Sequence, residues 1–256
     1  MGIRAIAASA VCWLTFMVTG IPAHGGSMNI ANPGCETAGS PPPSWTQVTG
    51  NWSCGAFPNP PPQGGTAYFR PGDNASAELR QDIPVSDSAT VATIDWGLAT
   101  AEFRGYVRSF SQTPVDFSRI VIEYRDAANV SVLSSFDSGN LSSVATWSLV
   151  ADTRPIPAGT RTIRIRLIST RQNGTSNDGY YDDLALDIKV PKLSCYSDAE
   201  CHLVGCVDCS CIALAVGARL PPKCQDPHSA CIRDPCLNKV AACDVGKCVV
   251  KTAPSL

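Results

Sequence analysis

Histidine, aromatic residues and long apolar runs are all scarce in this chain of 256 residues, and each scarcity excludes something. The three histidines are His24, His202 and His228. None stands near a Gly-x-Ser-x-Gly elbow, because the sequence contains no such elbow, so a Ser–His–Asp nucleophile has little to build on. No Gly-rich phosphate loop precedes a helical stretch, which argues against nucleotide chemistry. Charged residues make up 16% and the formal net charge is −2, too weak and of the wrong sign for an electrostatic nucleic-acid footprint. The one apolar run, Ala5 to Val18, falls short of the ~20 residues that span a bilayer. With Arg4 before it and Gly20, Pro22 and Ala23 after it, the segment 1–23 reads as a secretory signal cleaved after Ala23. No membrane span is expected, and the mature protein is expected to be secreted, or periplasmic if the source is Gram-negative.

What the chain does contain is turns, short alternating runs and cysteine. There are 20 glycines, 20 prolines and 13 cysteines. With Cys12 set aside in the leader, twelve cysteines remain. Cys35 and Cys54 come early. Cys195, Cys201, Cys206, Cys209, Cys211, Cys224, Cys231, Cys236, Cys243 and Cys248 crowd the end. In an oxidising compartment an even, dense set reads as a disulfide framework. A Cys35–Cys54 bond would close a loop of about 20 residues and contribute roughly 3 kcal/mol; two buried thiols are the alternative. The tail connectivity is left open, since ten cysteines allow hundreds of pairings. Cys206-x-x-Cys209-x-Cys211 has a zinc-like or redox-like spacing, but nine companions in an exported chain favour disulfides.

Between about Asn29 and Val190 the apolar residues recur every second position. Ile163, Ile165 and Leu167 alternate with Thr162, Arg164 and Arg166; Leu184, Leu186, Ile188 and Val190 alternate with Asp183, Ala185, Asp187 and Lys189. Phe103 and Val107, Ile120 and Ile122, and Leu79 and Ile83 mark further strands. Turn signals such as Pro71-Gly72-Asp73-Asn74, Asp137-Ser138-Gly139-Asn140 and Asn173-Gly174 divide them. No window of twelve residues keeps a helical period. The expectation is an all-β chain: an antiparallel jelly-roll β-sandwich over 28–190, a linker at 191–194, and a disulfide-rich domain over 195–250.

Three segments resemble the jelly rolls of carbohydrate-binding modules and galactose-binding-like domains. Asn29-Ile30-Ala31-Asn32-Pro33-Gly34-Cys35-Glu36 is similar to their opening strand, with Trp45 following. Gly65, Tyr68, Leu79 and Gln81 look like the next strands, and Asn177-Asp178-Gly179-Tyr180-Tyr181-Asp182-Asp183-Leu184 looks like the closing one. Cys35 stands where the family has a buried Phe. The resemblance implies a structural Ca²⁺ held by Glu36 with Asp182 or Asp183. The strand pattern adds a physical reason: Asp182 shares parity with Leu184 and Leu186, so it is expected to point inward, where a carboxylate must be paired, hydrogen-bonded or metal-bound. Backbone N–H groups or an Arg would satisfy it equally. The tail, Cys195 to Cys201 with Asp234-Pro235-Cys236, resembles cysteine-rich tails of exported Gram-negative proteins.

A second candidate is a ligand face. Arg104, Tyr106 and Arg108 lie on one side of a strand, Arg164 and Arg166 on comparable faces of another, and such side chains suit sugar hydroxyls or carboxylates. Tyr68, Trp96, Tyr180 and Trp52 would add stacking surface. The alternative is a solvated face of cross-strand ion pairs with the tryptophans in the core. Adjacent Asp182 and Asp183 point to opposite faces and so do not flank one glycosidic bond. Five sequons, at Asn51, Asn74, Asn129, Asn140 and Asn173, are glycan acceptors only in a eukaryotic source. The expectation is thus an exported, non-catalytic module binding carbohydrate or a cell-surface polymer. A structural or adhesive surface protein, or a protease-inhibitor-like tail, is the alternative.

Overall fold

The computed structural model describes residues 27–224 and 231–254. The expected leader, with Arg4 and Cys12, and the histidines His24 and His228 lie outside the described residues.

Two antiparallel sheets form a sandwich of jelly-roll type. The first contains, in spatial order, β3 (Ser53–Gly55), β4 (Tyr68–Arg70), β11 (Gly179–Lys189), β6 (Thr100–Ser109) and β9 (Ser148–Pro155), with β1 (Ser27–Met28) also paired to β11. The second runs β2 (Thr46–Thr49), β5 (Ser76–Pro84), β10 (Thr162–Thr170), β7 (Phe117–Arg125) and β8 (Val132–Asp137).

The period-two runs become these strands because alternate side chains fall between the sheets. Ile163, Ile165 and Leu167 of β10 are fully buried, as are Leu79 of β5 and Ile120 and Ile122 of β7. They face Phe69, Phe103, Val107, Tyr181 and Leu186 of the first sheet in one continuous core. Trp45 meets Phe69 edge-on at 5.0 Å and Trp52 packs on Tyr181 at 5.9 Å. Both tryptophans are therefore core, which for Trp52 is what the alternative reading held. Cys35 bonds Cys54 and is itself fully buried, so it fills its core position as half of a cystine.

Among the described residues one α-helix departs from the expected pattern, α1 (Ser88–Asp95). Its eight residues are fewer than a twelve-residue window samples. Its start signal is local: the Asp87 carboxylate accepts the Thr90 N–H at 2.8 Å.

After residues 190–194, which carry no strand, the tail forms two hairpins. They are β12 (Cys201–Gly205) with β13 (Cys211–Ala215), and β14 (Lys239–Asp244) with β15 (Lys247–Thr252). Its ten cysteines pair as Cys195–Cys243, Cys201–Cys248, Cys206–Cys224, Cys209–Cys231 and Cys211–Cys236. The buried residues among the described part of the tail are Cys195, Cys206, Cys224, Ala242 and Gly246. Three of those five are half-cystines, so crosslinks replace an apolar core. Among the described residues no helix is long and apolar enough to cross a membrane.

Candidate ligand-binding face

The site is built on the outer face of β4, β11 and β6, and an irregularity in β11 shapes it. Tyr181 pairs with Val107 and points into the core, so Asp182, opposite Tyr106, points outward. The register then shifts. Ala185 pairs with Arg104, which leaves Asp183 and Leu184 together opposite Gly105. Asp183 takes a φ of 47° to make this bulge, and Leu184 turns inward. A Cβ on Gly105 would lie 2.6 Å from Leu184 Cδ2, so only glycine fits across from it. The bulge breaks the parity between Asp182 and Leu184 that the sequence displays. Asp182 therefore points away from the sheet interface rather than into it.

Asp182 is nevertheless fully buried, because the proline-rich segment 56–66 folds over this outer face. Gln63 and Gly64 donate their N–H groups to Asp182 Oδ2 at 2.8 and 3.2 Å, and the Asp183 N–H reaches Oδ1 at 2.8 Å. The Tyr68 hydroxyl donates to the Pro60 carbonyl at 3.3 Å and accepts the Phe57 N–H at 3.2 Å. Trp147 Nε1 holds the Pro61 carbonyl at 2.9 Å. Burial pushes the Asp182 carboxyl up to about 7; the Gly64 N–H pulls it down, and the Asp183 charge adds to the rise.

Glu36 and Asp183 approach the same place. A Cβ on Gly34 would stand 3.3 Å from Asp182 Oδ1, 3.6 Å from Asp183 Oδ1 and 3.7 Å from Glu36 Cγ. On Gly64 it would stand 2.6 Å from Asp183 Oδ2, and on Gly65 2.2 Å from Glu36 Oε1. Three carboxylates thus surround a cradle that only glycines leave open. Glu36 is held by the Thr66 and Ala67 N–H groups and the Thr66 hydroxyl at 2.8–3.1 Å. Its carboxyl lies below the usual range: slight desolvation opposes this and those donors outweigh it. Backbone donors satisfy part of each of these two carboxylates, as the metal-free reading expected, yet a carboxylate offers about four lone-pair positions. The three carboxylates offer the hard oxygen donors that Ca²⁺ takes. The three carboxylates do not themselves form a closed set. Among the described residues, the group whose ligand atoms all lie within 4.8 Å of one another is Cys195, Cys201 and Cys248, and these sulfurs are in disulfides.

Two depressions flank the proline-rich segment, separated along β11 by roughly 15 Å of strand rise. One, of about 400 Å³, is lined by Arg104 and Tyr106 of β6, with Pro33, Asp183, Leu184 and Ala185. The other, of about 440 Å³, is lined by Phe57, Pro58 and Asn59 of the proline-rich segment, Phe110 beyond β6, and Ser176, Asp178 and Tyr180 at the start of β11. Phe57 and Phe110 are 42% and 40% exposed, high for rings of their size. The Arg70 guanidinium lies 3.6 Å from the centre of the Phe57 ring. Tyr180 and Tyr68 meet at a tilt with ring centres 5.0 Å apart, and both are buried beneath the loop instead of presented to solvent. The Tyr180 hydroxyl donates to Asp178 Oδ1 at 2.5 Å. Burial raises the Asp178 carboxyl above its ordinary range, against the Tyr180 hydrogen bond. Burial likewise raises the Tyr180 phenol.

The five residues of the expected ligand face are not brought together. Arg104 and Tyr106 share the polar depression, and Arg108 stands beside Tyr180 across the β6–β11 register. Its Nε is buried without a partner among the described residues, and Nη2 reaches the Val144 carbonyl at 3.4 Å. Arg164 and Arg166 are on β10, in the other sheet. Arg164 grips Asp82 at 2.5 and 2.7 Å. Arg166 grips Glu78 twice at 2.8 Å and Glu123 at 2.9 Å, and Glu123 pairs in turn with Arg125. These arginines form the cross-strand ion-pair face that was the alternative. Trp96 caps α1 and is half-buried, away from both depressions. The residues that sequence reasoning missed are Phe57 and Phe110. Their signal was an aromatic residue in a turn-rich segment, with no alternating partner to bury it.

No family model matches this chain, and no curated protein matches it. Solved structures with a similar fold include an enzymatically active domain of the bacteriophage CBA120 tailspike protein 4, at 14% identity and a TM-score of 0.47, over 62% of this chain and 21% of that one. A cyclase from Fischerella sp. TAU matches at 16% identity and a TM-score of 0.47, over 65% and 98% of the two chains. A family 61 carbohydrate-binding module solved with β-1,4-galactotriose matches at 18% identity and a TM-score of 0.41, over 61% and 95%.

Proposed function

We propose that the protein is a secreted, non-catalytic carbohydrate-binding module. Its ligand lies on the outer face of β4, β11 and β6, across the aromatic depression and toward Arg104 and Tyr106. The observation that carries this reading is the pair of exposed rings, Phe57 and Phe110, across a depression that also offers a carboxylate. Sugar rings present C–H faces that pack on aromatic rings and hydroxyls that seek fixed donors and acceptors. Phe57 and Phe110 supply the first, while Asp178, Asn59 and, further along, Arg104 and Tyr106 supply the second. The exported setting is supported by the signal-like leader and by the pairing of all twelve remaining cysteines.

In this reading Glu36, Asp182 and Asp183 hold a structural Ca²⁺. The ion would neutralise three converging carboxylates and tie the opening segment to β11, where the Leu184 N–H already meets the Pro33 carbonyl at 3.1 Å. It has no part in ligand chemistry.

The test is a glycan array followed by affinity electrophoresis on the polysaccharides retained. Phe110→Ala is expected to weaken binding about tenfold, the loss of one stacked ring. Failure of the intact protein to bind any polysaccharide sinks the proposal. A partner protein captured through the tail would favour the adhesive alternative.

A further inference from the structure

We propose that the carbohydrate held in the aromatic depression carries a protonated amine, as an amino sugar with a free amino group does. This deepens the carbohydrate reading and rests on it.

The lining contains three aromatic rings, of Phe57, Phe110 and Tyr180, one carboxylate, of Asp178, and no basic side chain. Ring faces carry negative charge and attract cations, most strongly where water is partly excluded. Phe57 already holds one cation, Arg70, 3.6 Å from its centre. Asp178 differs from the six acidic side chains of the sandwich that an arginine neutralises. Asp82, Asp95, Asp137, Asp152, Glu78 and Glu123 each face an arginine within 3 Å. Asp178 forms no such pair among the described residues; its Oδ1 accepts the Tyr180 hydroxyl.

The fold fixes this carboxylate at the depression. The Asp178 N–H is bound at 2.8 Å by the carboxylate of fully buried Asp116, which also accepts the Gln172 N–H at 2.6 Å. The Arg70 and Asp73 charges also reach Asp178, and they act in opposite directions. An ammonium group donates three hydrogen bonds and carries the charge that a hydroxyl lacks. Within walls of two exposed rings, it satisfies Asp178 Oδ2 and the ring faces together. An N-acetylated or neutral sugar satisfies the rings alone.

The experiment titrates the full-length secreted protein with chitosan oligosaccharides and with fully N-acetylated chitin oligosaccharides of equal length. It is run at about pH 5.5, because the neighbouring oxygens of a sugar make its amine much less basic than that of lysine, and binding is read by calorimetry. The free-amine ligand is expected to bind about tenfold more tightly, the scale of a partly desolvated cation–aromatic contact. Asp178→Asn keeps an acceptor for the Tyr180 hydroxyl and is expected to remove that preference, leaving both ligands at the N-acetylated affinity. Phe110→Ala is expected to weaken both. Equal wild-type affinity for the two ligands overturns the amine assignment, as does a preference that survives in Asp178→Asn. Either result leaves the carbohydrate reading standing if a glycan still binds. Absence of binding to every glycan overturns both.

Discussion

Asp183 is the residue on which the face turns. Its φ of 47° is a conformation that L-residues other than Asn and Asp rarely adopt, and it permits two residues of β11 to stand opposite Gly105. The same bend aims the Asp183 carboxylate at Gly34 and Gly64, toward Glu36 and Asp182. Three acidic groups around one glycine cradle repel one another unless a cation or a proton intervenes. Calcium is therefore expected to raise the melting temperature of the intact protein by roughly 5–10 °C at about 100 times its Kd. A chelator should reverse the rise. Asp183→Asn should abolish the calcium response while changing the calcium-free melting temperature little, since this exposed side chain makes none of the hydrogen bonds that hold the loop. Differential scanning fluorimetry with and without calcium decides it, and an identical curve in both conditions rules the metal out.

Among the elements, β5, β10 and β7 show what a period-two pattern conveys and what it omits. The inward set, Ile163, Ile165 and Leu167, was legible, because burial of alternate residues is written directly into the order of the chain. The outward set was legible only as charge. That Arg166 lies between Glu78 and Glu123, and Arg164 against Asp82, depends on the register of strands about 40–90 residues apart, which local sequence does not encode. The parity of Asp182 was misleading for a related reason: a bulge is a local exception that alternation alone does not reveal. The outer face of β7 is consequently buried too, with Glu123 and Arg125 each only 8% exposed. The acid stability of the sandwich follows. Asp82, through its hydrogen bonds from Arg164, has a carboxyl below the ordinary range, and so have Asp137 through Arg119 and Asp95 through Arg161. For carboxyls depressed in the folded state, the stabilisation is fully present above the unfolded value of about 3.9 and is lost as pH falls through the lower folded values. Urea midpoints should therefore be flat from about pH 7 to 5 with respect to these groups and drop below about pH 4. Asp82→Asn should cost about 1 kcal/mol at neutral pH and make the acid drop shallower. An acid profile unchanged by Asp82→Asn would show that this pair contributes nothing to it.

At the scale of the whole molecule, two kinds of stability share one chain. The sandwich has a continuous core reaching from Ile30 to Ile188 and a single cystine, Cys35–Cys54, at its opening segment. The tail has five cystines and few buried side chains of any other kind. The division was legible in cysteine density, but the pairing was not, because spacing does not determine which sulfurs meet once two hairpins fold together. Each tail bond closes a loop of about 20–50 residues, and in the chain-entropy model each contributes roughly 3–4 kcal/mol by restricting the unfolded chain. Removing all five subtracts far more than the few buried contacts of the hairpins supply. A dithiol reductant is therefore expected to unfold the tail while the sandwich persists. In hydrogen exchange read by mass spectrometry, peptides of β12 to β15 should lose protection within the labelling dead time. Peptides of β5, β7 and β10 should exchange as slowly as before, since no cystine lies among them. Glycan binding should survive the same treatment, because Phe57, Phe110 and Asp178 belong to the sandwich. Retained protection in β12 to β15 under reduction would mean that the hairpins are held by something other than their sulfurs. Simultaneous loss in both parts would mean that the sandwich core cannot stand without the tail.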